Sequence, residues 1–524
     1  MSTFNEIKEK DEDIRKLVNE IEQFSVWIFS HHSNSLPRAS KVIHDSVWGT
    51  HRYQPYEIAL INTPLIQRLR QINQTAGTYL TYPSARHTRF EHTLGVTAQI
   101  SNLINALKEK FSKSSKQDLL SEELHRTLRM AAVLHACGHG PLSHTSEEIY
   151  RTLPAIKKLI KVDPFKSAGR GEILSYLTID SNCFQNILEC ITTSSNVNIN
   201  IELLKNSIVG YAARKDEAYK IDMLHGPFDA DKIDYLFRDG HFSGLPLQID
   251  LDRLWFSLDI NRVDGSQRLT IDWGGASSLE QILFSKMTMF PTVYHHHKVR
   301  ACDCMFKGII EYIQNHSDLF LKRIIGTTEI VLDFKSPAHY LFLTDNDLYD
   351  WNLAKKDNGL HTLVHNLIYR RILKRAIVIS RDTIEKDWRY NSDNYQKYVA
   401  EPIEKDGLDF YRWLAKEIWQ EADRPGLIEE LWVDCPKDPD FNEANETWIS
   451  PLGEGQDPMA ITEFFNIDKY ADQYKQSKWR SHVFCKEEYR SVVAEATKKI
   501  FKKEFDIDFK PLAFHLCHLT PPSS

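Results

Sequence analysis

The sequence predicts a mostly α-helical protein that carries one small β-hairpin and a mixed α/β region towards its C-terminus. Apolar residues recur every three or four positions in segments 91–111, 122–137 and 276–316, which is the period of an amphipathic helix. Segment 249–273 differs, because two apolar runs flank a turn that contains Gly265, a pattern typical of a β-hairpin. These observations place most of the core on helices.

The two ends of the chain have other patterns. Residues 5–30 are predicted to form one amphipathic helix, since apolar side chains recur there at helical spacing. Those side chains are Ile7, Ile14, Leu17, Ile21 and Phe24. An irregular arm is predicted over 31–53. Helical periodicity returns over 355–420, and the acidic stretch 421–460, rich in proline and glycine, is predicted to form surface connections.

The chain is predicted to have three parts: a helix and arm (1–40), a helical core (41–325) and an α+β region packed on that core (326–524). Its composition, 42% hydrophobic and 26% charged, is that of a globular protein. A net charge of -7 disfavours bulk electrostatic binding of nucleic acid. The first residues are charged, and no apolar run reaches the roughly 18 residues of a membrane helix, so we expect no signal peptide and no membrane span. Eight cysteines without a CxxC pair favour reduced thiols and a cytoplasmic location.

Three separate segments each offer side chains that bind metal ions. They contain His92 in RFEHTLGV, His135 in HACGHGPLSH, and Asp231 in DADKIDY. Imidazole and carboxylate donors suit Mn, Fe, Zn or Mg, and such an ion lowers the pKa of bound water or polarises a phosphate oxygen. A single histidine on a helix is more often a core or capping residue than a ligand. The three segments in this order, each with its flanking residues, favour a shared metal site.

These motifs, together with DSVWGTHRY and LINTPLIQRLRQINQTAG upstream, resemble the HD-domain deoxynucleoside triphosphate triphosphohydrolases, a family that includes bacterial dGTPases. The resemblance covers roughly residues 41–315 and extends weakly to 369–376. It implies an HD-domain helical core and metal-dependent hydrolysis of a deoxynucleoside triphosphate (dNTP) to deoxynucleoside and tripolyphosphate. It also implies a tetramer or hexamer and an allosteric nucleotide.

By this resemblance His92, His135 and Asp231 are metal ligands. Ala136 occupies the position at which the family has its metal-binding aspartate, and a methyl group has no lone pair to donate. We therefore expect weak metal binding and impaired hydrolysis. Two explanations stay open: the aspartate was replaced to trap a substrate, or the protein is a natural pseudo-enzyme. The intact surrounding motif favours the first.

The resemblance also implies catalytic residues. His139 and His144 would stabilise negative charge on the α-phosphate, and Glu147 would orient a neighbouring group. Downstream, the family usually has a His-Glu pair, of which this chain keeps Glu172 but has Gly171 in place of the histidine. The proton donor to the leaving group is therefore open.

The substrate contacts that the resemblance implies fall into three sets. Arg89 and Lys232 would bind phosphates. Gln74, Tyr235 and Asp239 would recognise the deoxyribose, whose missing 2′-hydroxyl is accommodated against the tyrosine ring. Tyr294 and His296 would complete the site. Arg68 and Arg70 are left as residues of a subunit interface or of an effector site.

Three functions remain open from the sequence. The first is a dNTP triphosphohydrolase. The second is an HD phosphohydrolase of another nucleotide, against which Gln74, Tyr235 and Asp239 argue. The third is a catalytically dead protein that senses nucleotides or binds a partner, which Ala136 and Gly171 favour.

Overall fold

The computed structural model describes residues 3–32, 36–349, 351–385, 396–404, 407–437, 441, 446–450 and 456–521. The chain begins with two helices, α1 (Phe4–Ile7) and α2 (Glu12–Phe29), and not with the single helix predicted over 5–30. Asp11 separates them, because its carboxylate accepts hydrogen bonds from the amides of Asp13 and Ile14 and so caps α2.

The segment predicted as an arm, 31–53, contains a β-hairpin. Strands β1 (Lys41–Asp45) and β2 (Gly49–Tyr53) pair antiparallel, with Asp45 opposite Gly49. The Asp45 carboxylate accepts hydrogen bonds from the amides of Val47 and Trp48 and closes the turn. Residues 33–35 of this segment lie outside the described residues.

The mostly helical prediction is confirmed, and the long helix α5 carries the first metal-binding motif. A capping box formed by Thr88 and Glu91 begins this helix, which packs against α6 and α13. The helices of this part are α3 (Pro55–Ile61), α4 (Pro64–Gln67), α5 (Arg89–Lys110), α6 (Glu122–Leu134), α7 (His144–Tyr150), α8 (Pro154–Leu159), α9 (Arg170–Ile179), α10 (Asn182–Ser195), α11 (Ile201–Ile208), α12 (Ala218–Asp222), α13 (Ala230–Ser243), α14 (Leu251–Ser257), α15 (Ala276–Met289), α16 (His297–Asn315), α17 (Trp351–Ala354) and α18 (Asn358–Ile368).

The hairpin predicted over 249–273 is shorter than expected, because the segment begins with α14. Its strands are β3 (Leu258–Val263) and β4 (Ser266–Ile271). The two turn residues Asp264 and Gly265 have φ angles of 46° and 78°, as a tight hairpin turn requires. Strands β5 (Leu321–Ile325) and β6 (Thr328–Leu332) form a third hairpin further along the chain.

The C-terminal part is mixed α/β, as predicted, but two predictions within it are wrong. Segment 355–420 contains a buried strand, β7, besides its helices. Segment 421–460, predicted to form surface connections, contains the buried strand β8, while Pro439 and Pro451 of that segment lie outside the described residues. The elements are β7 (Lys374–Ile379), α19 (Glu401–Glu404), α20 (Leu408–Glu421), β8 (Trp432–Asp434), β9 (Trp448–Ile449), β10 (Met459–Ala460), α21 (Ile467–Lys478), β11 (Ser481–Cys485), α22 (Arg490–Phe505) and α23 (Leu512–His515).

Strand β11 lies at the centre of a three-stranded antiparallel sheet, between β7 and β8. One face of this sheet packs on α20 and α22 and forms a hydrophobic core of its own. Trp432 and Phe484 belong instead to the larger core of the helical part. The sheet is therefore joined to the helices by shared buried side chains. Among the described residues, no helix is both long and apolar enough to cross a membrane.

Candidate active site

His92, His135 and Asp231 converge from three elements that are distant in sequence. Helix α5 supplies His92, the C-terminal end of α6 supplies His135, and the first turn of α13 supplies Asp231. His92 Nε2 lies 2.9 Å from Asp231 Oδ1 and 3.2 Å from His135 Nε2. The three ligand atoms lie within 4.8 Å of one another, which is close enough for one ion at ordinary bond lengths of about 2.0–2.2 Å.

The hydrogen bonds on the far side of both rings fix which nitrogen faces the centre. His92 Nδ1 donates to Asp234 Oδ2 at 2.7 Å, and His135 Nδ1 donates to the carbonyl of Ala132 at 2.6 Å. In each neutral ring the lone pair therefore sits on Nε2, facing the other ring. Burial lowers the pKa of His135 to about 4, so its lone pair is available to a cation at neutral pH.

The two carboxylates beside His92 draw positive charge to this point. Burial alone would lower the pKa of His92, but hydrogen bonds with Asp231 and Asp234 raise it to about 8. His92 is therefore mostly protonated at neutral pH in the metal-free protein, and a divalent ion would displace the Nε2 proton. The two imidazole nitrogens and one carboxylate would then supply the three protein ligands that catalytic sites commonly use. Ala136, fully buried beside them, adds no fourth ligand.

Asp234, which the sequence analysis did not single out, anchors the metal-binding histidine to α13. Besides His92, its carboxylate accepts two hydrogen bonds from Arg238 at 2.9 Å and one from Trp48 Nε1 at 2.5 Å. A Cβ atom at Gly95 would overlap this carboxylate and Arg238, so a glycine one turn after His92 lets α5 and α13 approach. The signal was present in the spacing of Asp231, Asp234 and Arg238.

A second cluster of side chains lies on the turn that follows α6 and at the start of α7. His139 Nδ1 lies 2.6 Å from Glu147 Oε1, and His144 Nδ1 lies 3.4 Å from Glu147 Oε2. Burial would raise the pKa of Glu147, but the two imidazoles hold it well below its usual value. Burial, together with Arg89, lowers the pKa of His139 to about 3. The cluster therefore contains an ionised carboxylate beside a neutral His139.

Arg89 joins this cluster through a strained turn. Its Nε donates to Ser143 Oγ at 2.9 Å, and its terminal nitrogen lies 3.1 Å from His144 Nε2. Leu142 and Ser143 both have positive φ angles, 59° and 52°, a conformation that costs about 1–3 kcal/mol per residue. The strain is located where the turn presents Ser143 to a buried guanidinium, as expected at a functional site.

Gly171 abuts the second cluster. A Cβ atom at this position would lie 2.5 Å from His139 Cε1 and 2.7 Å from Glu147 Oε1. A histidine at position 171, which the family resemblance implies, would therefore overlap His139 and Glu147 where they now lie.

We expect Gly171→Ala to lower the free energy of unfolding by about 1–3 kcal/mol, because the added methyl group must displace a buried, paired imidazole. Chemical denaturation measures this loss. Gly274→Ala is the matched control, since a Cβ atom there meets nothing within 4 Å. Equal stability of the two variants would show that His139 and Glu147 yield freely.

Asp239 is the centre of the residues predicted to recognise the sugar. Its carboxylate accepts a hydrogen bond from Tyr294 at 2.5 Å and lies 2.7 Å from His87 Nε2, a residue that the sequence analysis did not select. Gln74 is buried and its backbone N–H donates to the carbonyl of His87. Its side-chain oxygen lacks a hydrogen-bond partner among the described residues. Tyr235 contributes to the electrostatic environment of Tyr294.

Other predicted residues occupy less direct positions. Lys232 Nζ binds the carbonyl of Gly226 at 2.7 Å and Asp229 at 2.8 Å, at the edge of a cavity of about 500 Å³. The carboxylate of Glu172 accepts the Gly169 amide and caps α9, and it lies 3.8 Å from His225 Nδ1.

Two further residues, His296 and Arg68, contact neither a metal-binding side chain nor Asp239 in the segments that the structure describes. His296 caps α16 and packs against Tyr82 and His297, and within the described part of the chain it has no recorded contact with either cluster. Arg68 is buried and donates to the carbonyls of Leu343, Cys137 and His139. Arg68 therefore braces the turn after α6, and its role at a subunit interface or effector site stays a prediction.

Comparison with known proteins indicates the family. A family model described as an HD associated region matches residues 249–508. The chain is 28% identical to the human deoxynucleoside triphosphate triphosphohydrolase SAMHD1 over 357 residues, which cover 64% of this chain and 54% of the human protein. The Bos taurus SAMHD1 is 26% identical over 306 residues, 55% of this chain and 50% of that protein. The chain is a homologue of the HD-domain deoxynucleoside triphosphate triphosphohydrolases.

This HD-domain homologue spans about half the length of the two mammalian SAMHD1 proteins. An uncharacterized protein of Methanocaldococcus jannaschii matches over most of both chains, at 27% identity over 475 residues, 89% of this chain and 87% of that protein. The resemblance drawn from the motifs is confirmed at the level of the family. The roles of individual residues stay predictions.

Proposed function

We propose that the protein is built as a metal-dependent dNTP triphosphohydrolase and that Ala136 impairs it. The convergence of His92, His135 and Asp231, with the Nε2 atoms of both rings directed towards one point, carries this proposal. A divalent ion bound there would polarise a phosphate oxygen. The proposal extends to a dNTP substrate, an allosteric nucleotide and a homo-oligomer, since proteins named dNTP triphosphohydrolases are among its relatives.

The chain's own residues would divide the remaining work. Arg89, His139 and His144 would hold the α-phosphate, and Glu147 would orient both imidazoles from behind. Asp239, fixed by two donors, would accept a hydrogen bond from the sugar hydroxyl, and Lys232 would turn from Asp229 to a phosphate. Water would attack the α-phosphorus, the bond to the 5′-oxygen would break, and a proton would be added to that oxygen. Glu172 would act in catalysis through His225, whose Nδ1 lies 3.8 Å from its carboxylate.

Product analysis tests this function. We expect Ala136→Asp to release tripolyphosphate and a deoxynucleoside from at least one dNTP with Mn²⁺ or Mg²⁺, at least about 100-fold faster than the chain with Ala136, since a bound metal contributes several kcal/mol. Phosphorus NMR distinguishes the products. Release of pyrophosphate or a monophosphate would instead indicate another nucleotide hydrolase.

The second candidate is a nucleotide sensor without catalysis, which two observations favour. Ala136 lacks a ligand atom, and the position of Gly171 is closed to a larger side chain. If the Ala136→Asp variant binds dNTPs in calorimetry but forms no product, the sensor is the better description.

A further inference from the structure

Helix α7 carries two of the proposed catalytic residues and is held from behind by buried charges. His144 and Glu147 lie on the face of the second cluster, and Thr145 and Glu148 lie one residue further round. The Glu148 carboxylate accepts hydrogen bonds from Lys307 Nζ at 2.7 Å and from Arg300 at 3.2 Å, both on α16. Thr145 Oγ1 donates to Asp303, also on α16, at 3.1 Å.

The same two cations reach the C-terminal sheet. Arg300 donates to both carboxylate oxygens of Asp434, the last residue of β8, at 3.0 and 2.6 Å. Lys307 Nζ lies 3.9 Å from Asp434 Oδ1 and above the ring of Trp432. Ser481 of β11 donates to the backbone carbonyl of Asp434 at 2.8 Å and holds this end of the strand. An unbroken set of ionic contacts thus runs from β8 through α16 to α7.

The charges in this network balance. Arg300 and Lys307 hold the pKa values of Glu148 and Asp434 below their usual range, against the effect of burial. Burial raises the pKa of Asp303 to about 7, which leaves this third carboxyl largely protonated below that pH. Below that pH two cations therefore face two anions. Arg300, Lys307 and Asp434 are buried, while the side chain of Glu148 is 30% exposed. Loss of either anion would leave a buried charge without its partner, and this is costly.

We infer that Asp434 is a positioning residue for the active site: through Arg300 and Lys307 it fixes Glu148, and with it the orientation of helix α7. The inference rests on the proposed function for what α7 does, but the contacts themselves do not depend on it. It gives the C-terminal sheet a specific task, which is to hold His144 and Glu147 opposite His139.

The test compares Asp434→Asn with Glu311→Gln. Glu311 also lies on α16 and binds Arg412 of α20, at 3.1 and 2.8 Å, so it joins the same two parts of the chain without touching α7. We expect both variants to melt at lower temperature. Only Asp434→Asn should speed hydrogen exchange of the amides of residues 145–150, by about tenfold. Equal exchange in these amides for the two variants, or no change in either, would overturn the inference.

Two further measurements separate the possible failures. In the Ala136→Asp background, Asp434→Asn should lower kcat about tenfold with little change in KM, since binding residues outside α7 are untouched. If that background hydrolyses no dNTP, the proposed function fails, while hydrogen exchange still decides the positioning role. If Asp434→Asn does not fold, Glu148→Gln tests the other end of the network and should loosen the same helix.

Discussion

Replacing Ala136 with aspartate is expected to raise the affinity for Mn²⁺ by about 100-fold or more, since even residues that only support a ligand are worth about 10–100-fold. The three ligand atoms are already within 4.8 Å of one another and directed by hydrogen bonds. Because the family resemblance implies a fourth ligand at position 136, we expect a carboxylate there to join the other three. Isothermal titration calorimetry with Mn²⁺ measures the change.

Ala136→Asn is the matched control, because the amide has nearly the same shape but no charge. We expect it to gain much less affinity than the aspartate variant. Saturating metal should also raise the melting temperature of Ala136→Asp, since a ligand that binds only the folded state stabilises it by about 2.7 kcal/mol at 100 times its Kd. If the two variants bind Mn²⁺ equally, a carboxylate at 136 does not reach the ion.

Local patterns were sufficient to predict a mostly helical core, and the ordered motifs were sufficient to predict that the three ligands converge. Helix α5 could be predicted because its capping box and apolar period lie within its own residues, and the metal-binding motifs each keep their ligand beside recognisable neighbours. The strands of the C-terminal sheet could not be predicted in this way. Strand β7 contains the continuous apolar run from Ala376 to Ile379, which does not distinguish a strand from a buried helix. Its partner β11 lies roughly a hundred residues further along the chain.

The sequence predicted which residues gather at the site, but not which side chains they bind there. Lys232 was selected for its charge as a phosphate-binding residue, yet in the structure that charge is paired with Asp229, three residues earlier. Asp234 was not selected, although its spacing from Asp231 and Arg238 places these three residues on successive turns of α13. Its burial results from Gly95 on a different helix and from Trp48 in the turn of the first hairpin. Such roles depend on contacts between distant segments, which the sequence does not specify one by one.

The second large effect is expected for Asp234→Asn. This carboxylate receives His92, Arg238 and Trp48 at once, and its own side chain is fully buried. Once Asp234 is uncharged, Asp45, at 3.0 Å, is the carboxylate left to Arg238 within the described residues. We expect the free energy of unfolding to fall by about 3 kcal/mol, as when one member of a buried ion pair is lost. Denaturant titration measures the fall.

The same substitution should also act on the metal site. An uncharged partner holds the Nδ1 proton of His92 less firmly, so its Nε2 lone pair becomes a weaker donor. Mn²⁺ affinity in the Ala136→Asp background should therefore drop by about 10–100-fold.

The variant Glu57→Gln separates this loss of metal affinity from a general loss of stability. Glu57 is equally buried and binds Arg129 at 2.5 and 2.8 Å, yet it touches none of the three metal-binding side chains among the described contacts. Both variants should lose stability, and only Asp234→Asn should lose metal affinity. An equal drop in affinity for both would mean that Asp234 supports the fold as a whole and not His92 in particular.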